Sequence, residues 1–153
     1  MKKYSIEIKW SLIFVVMMLV WMFLEKISGL HDVHIDKHPI VTNFISIPAV
    51  AIYVLAFMEK KKVFYSGSMN FREGFKCGLV MTIIITIMSP LVQIIVSNFI
   101  TPDYFQNAIQ YSINAGYLNQ TQAEDYFNLK NYIIQGAMGS FVMGIVTSAI
   151  VAF

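Results

Sequence analysis

All three histidines of the chain lie within one stretch of eight residues, together with two aspartates. The histidines are three and four residues apart, a spacing that would place them on one face of a helical turn. Imidazole nitrogens and carboxylate oxygens are ligands that zinc and similar divalent ions accept. The pattern therefore suggests a metal site with ligands drawn from His31, His34, His38, Asp32 and Asp36.

Two other interpretations of this histidine-rich stretch stay open. Pro39 disfavours a helical conformation at His38, so the stretch also suits a turn whose polar groups cap helix ends. Histidines titrate near neutral pH and serve as pH sensors. Glu25, shortly before the stretch, is expected to be an exposed carboxylate at a membrane interface rather than a buried partner.

Other catalytic patterns are absent from the sequence. It has no glycine-rich phosphate loop, no His-Glu-x-x-His helix and no nucleophile elbow. The single cysteine, Cys77, lacks a histidine on its own predicted side of the membrane. Carboxylates in the middle of a span, which mark proton relays, are also missing. We therefore expect a protein that is not an enzyme and needs no cofactor.

The composition indicates a protein that uses lipid as its solvent. Of 153 residues, 57% are hydrophobic and 13% charged, whereas soluble domains are about 45–50% apolar and about 25% charged. The mean hydropathy is +0.62. A single cysteine, 8 glycines and a net charge of +2 exclude a disulfide scaffold, a collagen and a nucleic-acid-binding protein.

The elements that must position the histidines are four apolar stretches. A helix needs about 20 apolar residues to cross the bilayer, and the first stretch reaches this length only if it continues past Glu25 to Leu30. No cleavage site follows Leu24, so we expect an uncleaved span rather than a signal peptide. The predicted spans are approximately 10–30, 39–58, 74–100 and 129–153. The sequence predicts an all-α integral membrane protein, a single domain over 1–153 built as a four-transmembrane-helix bundle.

Basic residues predict the orientation of the bundle, because cytoplasmic loops carry an excess of Lys and Arg. Eight of the 11 such residues lie before span one, between spans two and three, or at the very start of span three: Lys2, Lys3, Lys9, Lys60, Lys61, Lys62, Arg72 and Lys76. We expect a multi-pass protein of the bacterial inner membrane with both termini cytoplasmic. The histidines then lie on the outer side.

Two spans carry stripes of small residues spaced by four, which allow helix backbones to approach closely. A contact between the stripes inside one molecule is favoured over a homodimer seam. The stripes are Gly74, Gly78, Thr82 and Thr86 in span three, and Gly136, Ser140, Gly144 and Ser148 in span four.

Span three also carries a polar row beyond Pro90, formed by Ser89, Gln93 and Ser97. Hydrogen bonding between helices is the commoner role of such residues in a membrane, and a transport path is the alternative.

The segment between spans three and four is too long for a plain loop. An amphipathic helix over about 102–115 is predicted on the outer side, ending at Gly116. A capping box at Thr121 and Glu124 then predicts that the fourth helix begins near Gln122.

Local signals mark two other helix boundaries. Pro39 suits the first turn of span two and Pro48 predicts a kink there. Asn70 is expected to cap a helix beginning at Phe71.

Several of these motifs, in this order and over almost the whole chain, resemble the bacterial membrane-protein family called domain of unknown function 4199. They are Trp21-Met-Phe-Leu-Glu25 through His31, His38-Pro-Ile-Val-Thr-Asn43 with Ile47-Pro48, Phe75-Lys-Cys-Gly78 with Ser89-Pro90, and Tyr126-Phe-Asn-Leu-Lys130. The resemblance implies a four-span inner-membrane protein of Gram-negative bacteria with no assigned activity.

The leading functional hypothesis is a non-enzymatic protein of the lipid bilayer that acts through helix association. It would be a homo-oligomer or a subunit of an envelope complex, with no nucleic-acid partner. The alternative is a transporter or channel component with the polar row of span three as its path and the histidine stretch at its outer mouth. A metal-dependent membrane enzyme is a third, weaker hypothesis.

Overall fold

A computed structural model describes residues 3–153, so Lys2, counted above among the cytoplasmic residues, lies outside the described residues. The described chain consists of helices joined by turns and contains no strand. Its helices are α1 (Ser5–Ile27), α2 (His38–Val41), α3 (Ser46–Val63), α4 (Phe71–Ile95), α5 (Tyr104–Asn114), α6 (Gln120–Tyr126) and α7 (Leu129–Ala152).

Four of the helical stretches in the described chain are long and apolar enough to cross a membrane. They are Ser5–Ile27, His38–Val63, Phe71–Ile100 and Leu129–Ala152. Each satisfies its backbone hydrogen bonds internally, as a segment in hydrocarbon must. The prediction of an all-α fold with four candidate transmembrane helices is confirmed.

Helices α4 and α7 form the closest pair, and the two small-residue stripes lie against each other in antiparallel register. A Cβ placed on Gly78 would lie 2.6 Å from Ser148 Cβ, and one on Gly144 would lie 2.5 Å from Thr82 Cγ2. Any larger side chain at either glycine would therefore push the helices apart. The stripes are thus used inside one molecule, except at the predicted member Gly136, where a Cβ would meet nothing within 4 Å.

A compact core forms where α1 and α3 pack on this helix pair. Tyr53 and Phe57 of α3 are buried with Met81 and Ile85 of α4. The Tyr53 hydroxyl lies 3.0 Å from Thr82 Oγ1. Polar groups in the middle of the bundle are thereby satisfied between helices, as the low-polarity surroundings require.

Two prolines are accommodated without loss of the spans. Pro48 lies in the first turn of α3, where its missing N–H breaks no bond, and the irregularity precedes it as a 3-10 turn over Thr42–Ile45. Pro90 lies inside α4, and the Ser89 hydroxyl donates to the Thr86 carbonyl at 2.9 Å. This bond satisfies the carbonyl that Pro90 cannot reach.

Capping residues set the helix boundaries outside the spans. The predicted cap at Asn70 is present, and its carboxamide accepts from the Glu73 N–H at 3.0 Å. The predicted capping box at Thr121 and Glu124 is wrong, because Asn119 caps α6 instead and accepts from the Gln122 N–H.

The fourth helix does not begin near Gln122 as predicted, although the predicted span over about 129–153 agrees with α7. Helix α6 ends at Tyr126, and Asn128 adopts an extended conformation and caps the separate helix α7. Because an N-cap residue is non-helical by definition, a strong cap at Asn128 divides the segment in two.

Candidate functional site

A buried carboxylate lies at the end of α1. Glu25 is only 2% exposed, and the Trp21 indole N–H, one turn earlier on the helix, donates to its Oε1 at 2.6 Å. The expectation of an exposed carboxylate is therefore wrong. A buried carboxylate requires compensating donors or cations, because removing a charge from water is costly.

Two histidines supply those compensating groups through the other oxygen. His31 Nε2 lies 3.1 Å from Glu25 Oε2, and His38 Nε2 lies 3.4 Å from the same oxygen. We call these three residues, Glu25, His31 and His38, the histidine centre. Its ligand-type atoms lie within 4.8 Å of one another.

The connection between α1 and α2 folds back sharply to make this contact. Gly29 has φ of +73°, a conformation that L side chains rarely adopt. The backbone N–H of His34 then bonds the Gly29 carbonyl at 2.7 Å. This turn places His31 over the end of α1, while His38 enters from the first residue of α2.

Helix α5 covers the histidine centre. The Asn107 carboxamide donates to the His31 carbonyl at 2.9 Å, and the Tyr104 ring centroid lies 5.0 Å from that of His31 and 5.4 Å from that of His38. The Tyr104 hydroxyl is turned away toward the Tyr132 hydroxyl, 3.2 Å distant. Burial raises the pKa of Tyr104, so its ring adds no charge to the centre near neutral pH.

Three members of the predicted ligand set are not in the centre. His34, Asp32 and Asp36 are all exposed, and Asp32 Oδ1 accepts a local bond from the Val33 N–H at 2.5 Å. The irregular turn separates them from His31 and His38, so the spacing of three and four does not create one face.

Glu25 is the residue that sequence reasoning left out of the candidate ligands. The sequence did contain a signal that Glu25 has a partner, since Trp21 and Glu25 are four residues apart and therefore adjacent on a helix. Their contact alone, however, does not tell whether the pair faces lipid, water or the bundle.

The histidine centre retains one unsatisfied atom. His31 Nδ1 is buried and has no hydrogen-bond partner among the described residues. Native proteins seldom leave such an atom unpaired, and an ion or a water is a common explanation. One carboxylate and two imidazoles together can accept a cation.

Among residues 3–153, no hydrogen bond joins the polar row of span three to another helix. The Gln93 amide donates to Ser97 Oγ at 3.0 Å, and Ser89 bonds within its own helix as described above. Within the small-residue stripes, the Ser140 hydroxyl does contact Thr86 Oγ1 across the helix pair, at 3.3 Å.

A second buried ionic group lies at the other end of α1, and sequence reasoning missed it. Lys60 Nζ of α3 lies 2.9 Å from Glu7 Oε1 and donates to the Lys3 carbonyl at 2.6 Å. Beside it, Lys9 and the Trp10 indole N–H contact the Glu59 carboxylate. Lys60 therefore has a structural role in addition to its place in the basic loop.

A family model described as "Protein of unknown function (DUF4199)" matches residues 9–153, nearly the whole chain. No curated protein and no solved structure matches. The chain belongs to the DUF4199 family, as the motifs around Glu25, His38, Cys77 and Tyr126 indicated.

Proposed function

We propose that this DUF4199 protein is a non-enzymatic component of the bacterial inner membrane that acts by helix association, with both termini in the cytoplasm. The proposed partner is a second copy of the chain. The observation that carries the proposal is an exposed face of α7 that presents a small residue and a polar side chain toward the bilayer.

This face lies beside the stripe that packs on α4. Gln135, Gly139, Val142 and Val146 recur at spacings of four and three, so they share one side of α7. All four are exposed, and a Cβ on Gly139 would meet nothing within 4 Å. We call these four residues the open face of α7.

Gln135 is the strongest single support for association. It lies six residues after the start of α7, about 9 Å along the helix axis. A carboxamide facing lipid gains by hydrogen bonding to another helix. Two parallel copies of α7 would bring two Gln135 amides together, and each amide offers both donors and an acceptor.

The small residues of the open face permit close contact. Gly139 lies one turn from Gln135, and the β-branched Val142 and Val146 continue the same line. In a membrane, association depends on packing and interhelical hydrogen bonds because lipid is as apolar as the side chains. The open face combines both contributions.

The transport alternative has no comparable support. Gln93 and Ser97 bond each other along one helix. The Ser89 hydroxyl is used at the Pro90 interruption. The proposal therefore assigns these residues to the stability of α4.

Cysteine crosslinking in native membranes tests the proposal. The native thiol is removed by Cys77→Ser, and Gly139→Cys or Phe141→Cys is added. Both positions are exposed and at similar depth, but they face different sides of α7. We expect a disulfide-linked dimer from Gly139→Cys only, and fewer dimers when Gln135→Leu is added.

Equal crosslinking at the two positions would contradict the open face as the interface. Monomers alone at both positions would overturn the second-copy proposal. Mass spectrometry of a Gly139→Cys adduct to a different protein would instead assign the face to an envelope complex.

A further inference from the structure

We propose that Glu25, His31 and His38 bind a divalent transition-metal ion of the zinc type. The proposal does not depend on association through α7, since its ligands come from α1, α2 and the turn between them. Its starting point is that three donor atoms from three consecutive elements converge at one buried place.

The two separations that involve the carboxylate oxygen match tetrahedral coordination, and all three donor atoms lie within 4.8 Å of one another. Zinc binds imidazole nitrogen and carboxylate oxygen at about 2.0–2.1 Å, which puts neighbouring ligand atoms about 3.3–3.4 Å apart in a tetrahedron. The separations from Glu25 Oε2 are 3.1 Å to His31 Nε2 and 3.4 Å to His38 Nε2. An ion in the place of the protons between Glu25 Oε2 and the two Nε2 atoms would need little movement of these three side chains.

The surrounding groups orient the ligands in the way that metal sites require. Trp21 holds Glu25 Oε1 at 2.6 Å, which leaves Oε2 directed at the imidazoles. Asn107 fixes the backbone of His31. The Tyr104 ring packs against both imidazoles and limits their rotation.

The charge balance also favours a dication. With neutral imidazoles the centre carries one buried negative charge, compensated by hydrogen bonds alone. A zinc-type ion would satisfy the carboxylate and both Nε2 atoms together. Three protein ligands leave a fourth position for a water molecule.

A metal-ligating imidazole usually donates its second ring N–H to another group. Here His31 Nδ1 is buried and has no partner within residues 3–153. Metal binding through Nε2 fixes the proton on Nδ1, and a water hydrogen-bonded there would complete the arrangement.

An access route exists at His38. Its side chain is 17% exposed, against 5% for His31 and 2% for Glu25. An ion could therefore enter past His38, near the exposed Asp36 and His34. Because His38 is the most exposed of the three ligands, it can be replaced with the least disturbance of the core.

Metal binding to the full chain in mild detergent tests the proposal. The protein is stripped with a chelator, loaded with zinc chloride and desalted, and zinc per chain is measured by elemental analysis and by calorimetric titration. The variants are His38→Ala and Glu25→Gln. His34→Ala is the matched control, because His34 belongs to the same turn but is exposed.

We expect one zinc ion per wild-type chain and per His34→Ala chain. His38→Ala and Glu25→Gln should bind at least about 100-fold more weakly, since even outer-shell substitutions lower metal affinity by 10–100-fold. Cobalt(II) bound to the wild type should give the intense visible absorption of a four-coordinate ion, and this absorption should be lost in His38→Ala.

Wild-type protein without stoichiometric zinc would overturn the proposal, as would a loss in His34→Ala equal to that in His38→Ala. A six-coordinate cobalt spectrum would overturn the tetrahedral site. Circular dichroism checks that each variant is helical; if Glu25→Gln does not fold, His38→Ala decides the result.

Discussion

Helix α1 buries one carboxylate near each end, and the two meet different kinds of partner. Glu7 and Glu25 are each 2% exposed. Their separation of 18 residues is five helical turns, so they lie on the same side of α1 and about 27 Å apart, nearly the thickness of the hydrocarbon core.

Glu7 is paired with a lysine whose ammonium group has several partners nearby. Lys60 contacts both Glu7 and the Lys3 carbonyl, and its ammonium group lies 4.0 Å from the Phe64 ring centroid. The pair connects the start of α1 to the end of α3.

Glu25 has no Lys or Arg partner among the described residues. Its partners are two imidazoles, which are charged only when protonated, and an indole N–H. His31 Nδ1 has no partner there, whereas no such atom is found at the Glu7 pair. The difference teaches that burial alone does not identify a binding site; the Glu7 pair is complete, and the histidine centre has capacity for a ligand.

The largest expected effect on stability follows from removing the Lys60 cation beside Glu7. Lys60→Met leaves Glu7 buried and uncompensated, and should lower the free energy of unfolding by about 3–5 kcal/mol. Reversible unfolding in mixed micelles, followed by circular dichroism, measures it. Lys61→Met is the control, because Lys61 is exposed. Equal effects of the two substitutions would show that Glu7 does not depend on Lys60.

The next effect is stabilisation by zinc, which should depend on the histidine centre at one end of α1 and not on the Glu7 pair at the other end. Zinc at 100 times its dissociation constant should stabilise the wild type by about 2.7 kcal/mol. Lys60→Met should gain a similar increment from its lower baseline, since its histidine centre is intact. Glu25→Gln should gain little. Zinc stabilisation that is equal in Glu25→Gln and wild type would place the ion elsewhere.

The smallest effect concerns the contact between α5 and the histidine centre. Asn107→Ala removes the bond to the His31 carbonyl and should cost about 1 kcal/mol. Amide hydrogen exchange should accelerate in α5 and the turn before α2, but not near Lys60. Asn114→Ala is the control on α5, because Asn114 bonds only Gln110. Unchanged exchange in Asn107→Ala would mean that other contacts hold α5.

Features governed by neighbouring residues were predictable. Asn70 and Glu73 form their capping box within one turn, and the stripe from Gly74 to Thr86 follows from the helical repeat alone. The overlapping capping motifs at Asn119 and Thr121 show the limit of such predictions. Two caps of similar strength cannot be ranked without knowing where the chain must turn.

The histidine centre was only partly predictable. His31 and His38 were identified as candidates, but the turn at Gly29 excludes His34 and brings in Glu25. The Asn107 contact joins residues 76 apart in sequence, and the Lys60 to Glu7 bond joins residues 53 apart. No local pattern encodes such pairings.

The sequence by itself determined that this protein is helical and has four candidate spans, because backbone groups in lipid must bond within their own segment. It also determined which faces of two helices are small enough to touch. Only the tertiary structure decided that Glu25 is buried with two histidines and Glu7 with a lysine. The physical reason is that a carboxylate tolerates burial only where distant segments supply its partners, and those partners are set by packing.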